Sequence, residues 1–248
     1  GNAVHEDGKL LLNGAAVRVS GELEVEGNVD LGEGTLMVDG NLVHTRGSIL
    51  LSGGTLEITG DYRNMRLLSD GSYETSLGAL EMENESDRMI VGKDFYTSSY
   101  WGEDYNKFSA GTIEIGGNFQ EKKVGANFRC KGSHKVVFTG GGEHEVNIEM
   151  NNARFNILEV EAGSKLKWTG YCNVTDLESD LDIEVPKGEQ IKFNAYEDSD
   201  IDFKGHQISV SGNVLHEDGK LLLNGAIVRV SGEMEVTGNV DLGEGTLI

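Results

Sequence analysis

Proline is nearly absent from this chain, and cysteine is scarce. One proline, Pro186, and two cysteines, Cys130 and Cys172, occur in 248 residues. This composition excludes collagen-like and proline-rich chains, and it excludes a scaffold held together by several disulfides. The two cysteines are either free buried thiols or the halves of one bridge. No run of 18 apolar residues occurs, so we expect no transmembrane span.

Basic residues are also few. The chain has 21 basic and 42 acidic residues, which gives a net charge of −21. A field of this sign repels nucleic acid and anionic membranes, so we expect neither nucleic-acid binding nor membrane insertion. It also disfavours a polyanionic substrate. We interpret the acidic runs at 81–87 and 176–184 as solvated faces.

No metal centre and no cofactor are expected. The sequence His-Glu-Asp-Gly occurs at 5–8 and again at 216–219. Its residue types invite a metal interpretation, but Asp-Gly before an apolar segment indicates a turn, and the spacing differs from that of HExxH. Adventitious calcium on the acidic faces stays open, because calcium takes carboxylate oxygens.

The chain contains one long internal repeat. Residues 1–37 and 212–248 are identical at 31 of 37 positions, with a constant offset of 211. A fixed internal period predicts a repeat architecture. We interpret residues 1–211 as one complete unit, and residues 212–248 as the start of the next unit, continuous with the same solenoid.

A finer period lies within this unit. Between residues 9 and 62, apolar-x-apolar pairs begin every six or seven residues. This alternation predicts short strands with one side inward, and the glycine and asparagine residues between them suit tight turns. Every third pair falls into one of three columns with steps of 19 or 20 residues: Leu10–Val29–Ile49, Val17–Leu36–Leu56 and Leu23–Leu42–Tyr62.

The columns predict an all-β fold: a single, three-sided, right-handed parallel β-helix with about 20–24 residues per turn and loop insertions. A meander or sandwich of hairpins is the alternative, but it would not require the columns. About nine turns fit into one unit. We expect the second column to continue through similar segments that start at Met89, Ile113, Val136, Leu158, Ile208, Val228 and Leu247.

Residues 63–79 and 96–111 are too long for corners and are expected to protrude as loops. The second insertion is rich in aromatic residues, and Tyr96, Tyr100, Trp101 and Tyr105 are the candidate ligand-binding residues. Aromatic rings beside amides and carboxylates suit sugar binding, and binding residues concentrate on loops. Alternatively, these rings fold back and close the loop over the shaft, since aromatic side chains bury a large area.

A resemblance follows from the repeats themselves. The segments SGGTLEITGDY, AGTIEIGGNF and HKVVFTGGGEHEV resemble the repeats of large secreted bacterial β-helix proteins, namely adhesin-type and filamentous-haemagglutinin-like shafts. The resemblance covers most of residues 1–173 and resumes at 205. It implies an extracellular or cell-surface location and a structural, non-enzymatic role. It also implies neighbouring repeat units as partners, stacked end to end. It transfers no catalytic residue.

Two other functions stay open on the residues alone. The first is a binding module in which the insertion 96–111 recognises a glycan or a host surface protein. The second is a polysaccharide lyase or hydrolase, since β-helix enzymes of both kinds exist. Hydrolysis would need two acids on one face, and acids are so abundant here that no particular pair is indicated.

Overall fold

The computed structural model describes residues 1–100, 107–122, 128–194 and 200–248. Within these ranges the chain forms 32 short strands and no helix. In chain order the strands are β1 (Ala3–His5), β2 (Lys9–Leu11), β3 (Ala16–Val19), β4 (Leu23–Val25), β5 (Asn28–Asp30), β6 (Thr35–Val38), β7 (Leu42–His44), β8 (Arg46–Leu50), β9 (Thr55–Ile58), β10 (Tyr62–Leu67), β11 (Tyr73–Thr75), β12 (Leu77–Met82), β13 (Arg88–Val91), β14 (Phe95–Thr97), β15 (Lys107–Phe108), β16 (Thr112–Ile115), β17 (Phe119–Glu121), β18 (Lys135–Phe138), β19 (Gly142–Ile148), β20 (Phe155–Val160), β21 (Ser164–Cys172), β22 (Val174–Leu177), β23 (Leu181–Glu184), β24 (Gln190–Phe193), β25 (Asp200–Asp202), β26 (Gln207–Ser211), β27 (Asn213–His216), β28 (Lys220–Leu222), β29 (Ile227–Val230), β30 (Met234–Val236), β31 (Asn239–Asp241) and β32 (Thr246–Leu247).

These strands stack into a parallel solenoid with three faces. The first face runs β1-β4-β7-β10-β14-β17-β19-β21-β23-β26-β29-β32, the second begins β2-β5-β8-β12-β15, and the third runs β3-β6-β9-β13-β16-β18-β20-β22-β25-β28-β31. The second face resumes at the end of β21, which pairs with β24, and continues through β27 and β30. The all-β, three-sided parallel β-helix expected from the columns is confirmed.

The predicted columns are the actual registers of the first turns. Leu10 pairs with Val29 and Val29 with Ile49 on the second face. The columns of Val17 and Leu23 hold in the same way on the third and first faces. On the third face the register continues from Leu56 through Met89, Ile113, Val136 and Leu158, as expected.

Beyond Leu158 the predicted column is wrong. Ile208, Val228 and Leu247 pair with one another on the first face, where Ile208 also pairs with Leu181. The apolar-x-apolar-x-Gly pattern indicates a strand with inward side chains followed by a corner. Such a strand and corner occur on any of the three faces. The pattern therefore identifies strands without identifying their face.

The position of Ile208, Val228 and Leu247 on the first face shows how the 211-residue repeat relates to the number of turns it contains. Nine steps along the third face lead from β3 to β28, yet the repeat equivalent of β3 is β29, the next strand in the chain. The 211-residue period therefore contains nine turns and one additional face. Each strand of the second copy lies one face further round the solenoid than its equivalent in the first copy.

The interior is filled by inward side chains from all three faces. On the first face, the rings of Tyr62 and Phe95 lie 4.9 Å apart and those of Phe95 and Phe119 lie 5.5 Å apart between centroids. Cys130 and Cys172 are free and buried, so they do not form the bridge that the sequence left open. Burial raises the pKa of both thiols.

The two expected loops differ from the prediction. Residues 63–79 contain an antiparallel hairpin, because β10 extends past the first face and Met65–Leu67 pairs with Tyr73–Thr75. Within 96–111, Tyr96 and Thr97 belong to β14 and Lys107 and Phe108 form β15, both in the solenoid wall. Residues 101–106 lie outside the described part of the chain.

Gly170 makes the bend within β21 between the first and second faces. Residues Leu166 and Lys167 pair with β23, whereas Gly170–Cys172 pair with β24. Gly170 has a φ of 82°, and a Cβ there would overlap the carbonyl oxygen of Ile148 in the preceding turn. Both the backbone angle and the close approach require glycine at this position.

We expect Gly170→Ala to lower the free energy of unfolding by about 2 kcal/mol or more, because the methyl group forces neighbouring turns apart. Gly163→Ala is the matched control. Gly163 also has a positive φ, of 89°, but a Cβ there would meet nothing within 4 Å. Denaturant unfolding measures both variants, and equal losses would show that the close approach contributes nothing.

His134 is a buried polar residue with an unusual environment. Both of its ring nitrogens lack a hydrogen-bond partner, and the ring packs against Phe108 at 5.3 Å between centroids. Burial lowers the pKa of His134 from 6.5 to about 3. Between pH 6.5 and pH 3 the imidazole is protonated in the unfolded chain but neutral in the folded protein. His134 therefore makes the protein less stable as the pH falls from 6.5 towards 3.

We expect His134→Phe to be more stable than the wild type by about 1–2 kcal/mol at neutral pH, since it removes an unsatisfied buried polar group. Its advantage grows by up to about 1.4 kcal/mol for each pH unit below 6.5, where only the wild-type unfolded state gains a proton. Denaturant unfolding at pH 7.5, 5.5 and 4.5 measures this difference. If the difference in unfolding free energy between His134→Phe and the wild type does not change with pH, the lowered pKa of His134 is contradicted.

Candidate ligand-binding groove

The structure describes two of the four aromatic candidates, Tyr96 and Tyr100. Tyr96 lies on the outer side of β14 on the first face, which corrects its expected place in a protruding loop. The reason is the alternation of Phe95-Tyr96-Thr97, which pairs in register with β10 and β17. Tyr100 lies at the corner after β14, is 67% exposed, and donates its backbone N–H to the carbonyl oxygen of Ser76 at 2.9 Å. Trp101 and Tyr105 lie outside the described residues.

Tyr96 belongs to a row of outward side chains along the solenoid axis, which we call the outer ladder. The ladder consists of one residue from each of five successive turns of the first face: Arg63, Tyr96, Gln120, Asn147 and Thr169. All five are half-buried. Since strands of successive turns lie about 4.8 Å apart, the ladder offers a polar group at a regular spacing.

Two adjoining depressions lie along the ladder, and together we call them the outer groove. They have volumes of about 180 and 470 Å³ and share Tyr96 and Gln120 as lining residues. The turn of the β10–β11 hairpin, with Ser72 and Tyr73, forms one wall. Their combined size lies within the range of small-ligand pockets, about 300–1,000 Å³.

Tyr96 is held firmly at the centre of the groove. Its hydroxyl donates a hydrogen bond to Oδ2 of Asp94 at 2.8 Å, and the guanidinium of Arg63 lies over its ring at 6.0 Å. Arg63 in turn donates to Oδ2 of Asp61 at 2.6 Å. Burial, and then the bond to Asp94, raises the pKa of Tyr96 to about 12. The phenol therefore stays neutral at physiological pH, and its oxygen retains acceptor capacity.

Three cations line the groove, and each of them is paired with a carboxylate. Arg63, Lys122 and Lys167 line it, and among the described lining residues Glu145 is the one carboxylate. Lys122 pairs with Glu149 at 2.9 Å, and Lys167 pairs with Glu145 at 2.8 Å. These pairs orient the two ammonium groups.

No protein-family model matches the chain, and no curated protein or solved structure is significantly similar to it. The likeness to adhesin-type shafts therefore stays a prediction from the repeats. Across the described ranges no helix is long and apolar enough to cross a membrane.

The structure gives the repeated His-Glu-Asp-Gly sequence a place at a corner. Both ring nitrogens of His216 lie near carbonyl oxygens, at 3.0 Å from that of Phe193 and 2.9 Å from that of Asn239. The ring thus links three successive turns. In the part of the chain that the structure describes, no group of three or more His, Cys, Asp or Glu side chains is placed to hold a metal ion.

Sequence reasoning missed Gln120, Asn147 and Thr169. The available signal was the column of Leu23, Leu42 and Tyr62, which continues on the inside through Phe95, Phe119, Val146 and Trp168. The residue that follows each inward member points outward. Extending this column past the hairpin would have placed the polar residues of the ladder together.

Proposed function

We propose that the chain is a segment of a β-helical shaft on the surface of a bacterium or in its surroundings, and that its role is structural. Successive repeat units stack end to end and hold an adhesive or effector part away from the cell. In this role the inward side chains and the backbone hold successive turns together, and the shaft needs no catalytic group.

One observation carries this proposal: the two copies of the repeat are buried on complementary sides. Val25 and Leu31 are fully buried in the first copy, whereas their equivalents Val236 and Leu242 are 43% and 47% exposed. In the turn before these residues the second copy is the more buried one. There Leu221 is buried, whereas its first-copy equivalent Leu10 is half-buried. In both copies these apolar side chains are buried where a neighbouring turn covers them.

The same sequence is thus compatible with a turn stacked before it and a turn stacked after it. In the first copy, the turn that follows covers Val25 with His44 and Val29 with Ile49. Because the second copy repeats these contact residues, the same following turn would fit on it. Stacking buries apolar side chains, at about 0.8 kcal/mol per CH₂, and pairs the open strand edges.

A grafted chain tests this proposal. Residues 38–60 are appended after Ile248, where they follow the second copy as they follow the first. We expect the free energy of unfolding to rise by roughly 2 kcal/mol, since Val236 and Leu242 become buried. Denaturant unfolding and limited proteolysis measure the gain and the ordering of the graft.

The control graft has the same length with Leu42, Ile49 and Leu56 replaced by Ser, and it should add no stability. A graft of the natural sequence that remains sensitive to protease and adds no stability would contradict stacking of units in this register.

A further inference from the structure

We propose that the outer groove binds a neutral oligosaccharide, a chain of hydroxylated rings without charged groups, which lies along the solenoid axis against the first face. This site goes beyond the role of a shaft and rests on observations that the stacking proposal does not use. Failure to bind such a sugar would leave the stacking of repeat units untouched.

The charged groups of the groove neutralise one another. Arg63, Lys122 and Lys167 each form an ion pair with a carboxylate, with nitrogen and oxygen atoms 2.6–2.9 Å apart. A further carboxylate, that of Asp94, accepts the hydrogen bond from the hydroxyl of Tyr96 at 2.8 Å. A charged ligand would have to compete with these partly buried pairs, and separating such partners is costly. A ligand without charge leaves the pairs intact.

Two side-chain amides of the groove are available to a ligand. Gln120 and Asn147 are paired in register on successive turns of the first face, are half-buried, and line the narrower depression. Within the described ranges, no hydrogen bond or ion pair engages either amide. Each amide therefore keeps both its donors and its acceptor. The hydroxyl groups of a sugar, which also donate and accept, are matching partners.

Other asparagines of the first face differ from this pair, because they serve the fold. Asn2, Asn41 and Asn118 each lie at the corner before a strand, where Oδ1 accepts a backbone N–H from the following turn at 2.7–3.0 Å. These amides hold successive turns together. Gln120 and Asn147 make no such bond, so the stacking of turns does not account for amides at their positions, whereas recognition of a ligand does.

The wider depression adds two aromatic rings, Tyr73 of the β10–β11 hairpin and Tyr96 of β14. A sugar ring has C–H groups on its faces and hydroxyl groups at its rim. Aromatic rings with a few polar groups beside them suit both parts, and they are typical of small-ligand sites. The groove therefore combines apolar contact at Tyr73 with hydrogen bonding at Gln120.

The direction of the outer ladder indicates an elongated ligand. Tyr96, Gln120, Asn147 and Thr169 come from four successive turns, so at ~4.8 Å per turn they span about 14 Å along the axis. A single sugar ring would contact only part of this row. A chain of several rings would meet a polar group of the protein at each turn.

A peptide is less consistent with the groove. A peptide strand that docks on a sheet gains affinity from an open backbone edge, but the first-face strands along the groove are already paired on both sides. Recognition must therefore come from outward side chains. Rings and amides without a net charge favour a ligand recognised by its hydroxyl groups.

The test is a panel of immobilised neutral oligosaccharides built from hexose and N-acetylhexosamine units, with neutral peptides of similar length on the same surface. We expect the full chain to bind at least one of the oligosaccharides. The affinity should change by less than about threefold between about 0.1 and 1 M NaCl, because salt screens interactions between charges and the ligand has none.

Two amide variants and one pair of ring variants locate the ligand. Gln120→Ala and Asn147→Ala should each weaken binding about tenfold, equivalent to ~1.4 kcal/mol. Tyr73→Ala should weaken it by a similar factor, whereas Tyr73→Phe, which keeps the ring, should bind as the wild type does. Circular dichroism and the unfolding midpoint show whether each variant retains the fold.

Gln207→Ala is the matched control. Gln207 is an exposed glutamine at the start of β26, also on the first face, and it lines a separate depression. Its removal should leave binding unchanged.

Four outcomes would overturn the proposal. The first is that no neutral oligosaccharide binds, and the second is that the neutral peptides bind in their place. The third is a steep loss of affinity with salt, which would show recognition of charge. The fourth is that Gln207→Ala weakens binding as much as Gln120→Ala does, which would place the ligand outside the groove.

Discussion

The hydrogen bonds between successive turns are the interaction on which this structure depends. Leu12 donates its N–H to Asp30 one turn later, and Leu31 donates to Leu50 in the turn after that. A turn satisfies its backbone only when its neighbours are present, so the strands must return to register whatever happens at the corners. The corners can therefore vary in length. The β10–β11 hairpin shows this, since β10 and β12 both keep their places in the wall.

The parallel ladder also divides the side chains into two independent sets. Inward residues such as Phe95 and Phe119 fill the interior, while their outward neighbours Tyr96 and Gln120 face solvent on the same strands. Because successive side chains point to opposite sides, the outer surface can change its chemistry without disturbing the core.

Sequence periodicity predicted the faces well where turns are short and regular. The columns from Leu10, Val17 and Leu23 are true registers, because each step of 19 or 20 residues leaves one possible alignment. The face of Ile208 was not predictable in this way, because β21 covers parts of two faces and the inward pattern is the same on each. The groove was not predicted for a different reason. Gln120 and Asn147 lie 27 residues apart in the sequence, so their proximity is evident only once the register is known.

The extra face in the 211-residue period has a geometric consequence for any array built from it. Equivalent points on consecutive periods are turned by about a third of a revolution, so a groove would face three directions in succession and return to the first on the fourth period. Three periods contain 28 turns, which at about 4.8 Å per turn span roughly 130 Å. A filament of this kind would display its grooves evenly around its circumference. A flat surface on one side would meet them at that wide spacing, so several grooves could engage it together only where its ligands are spaced to match.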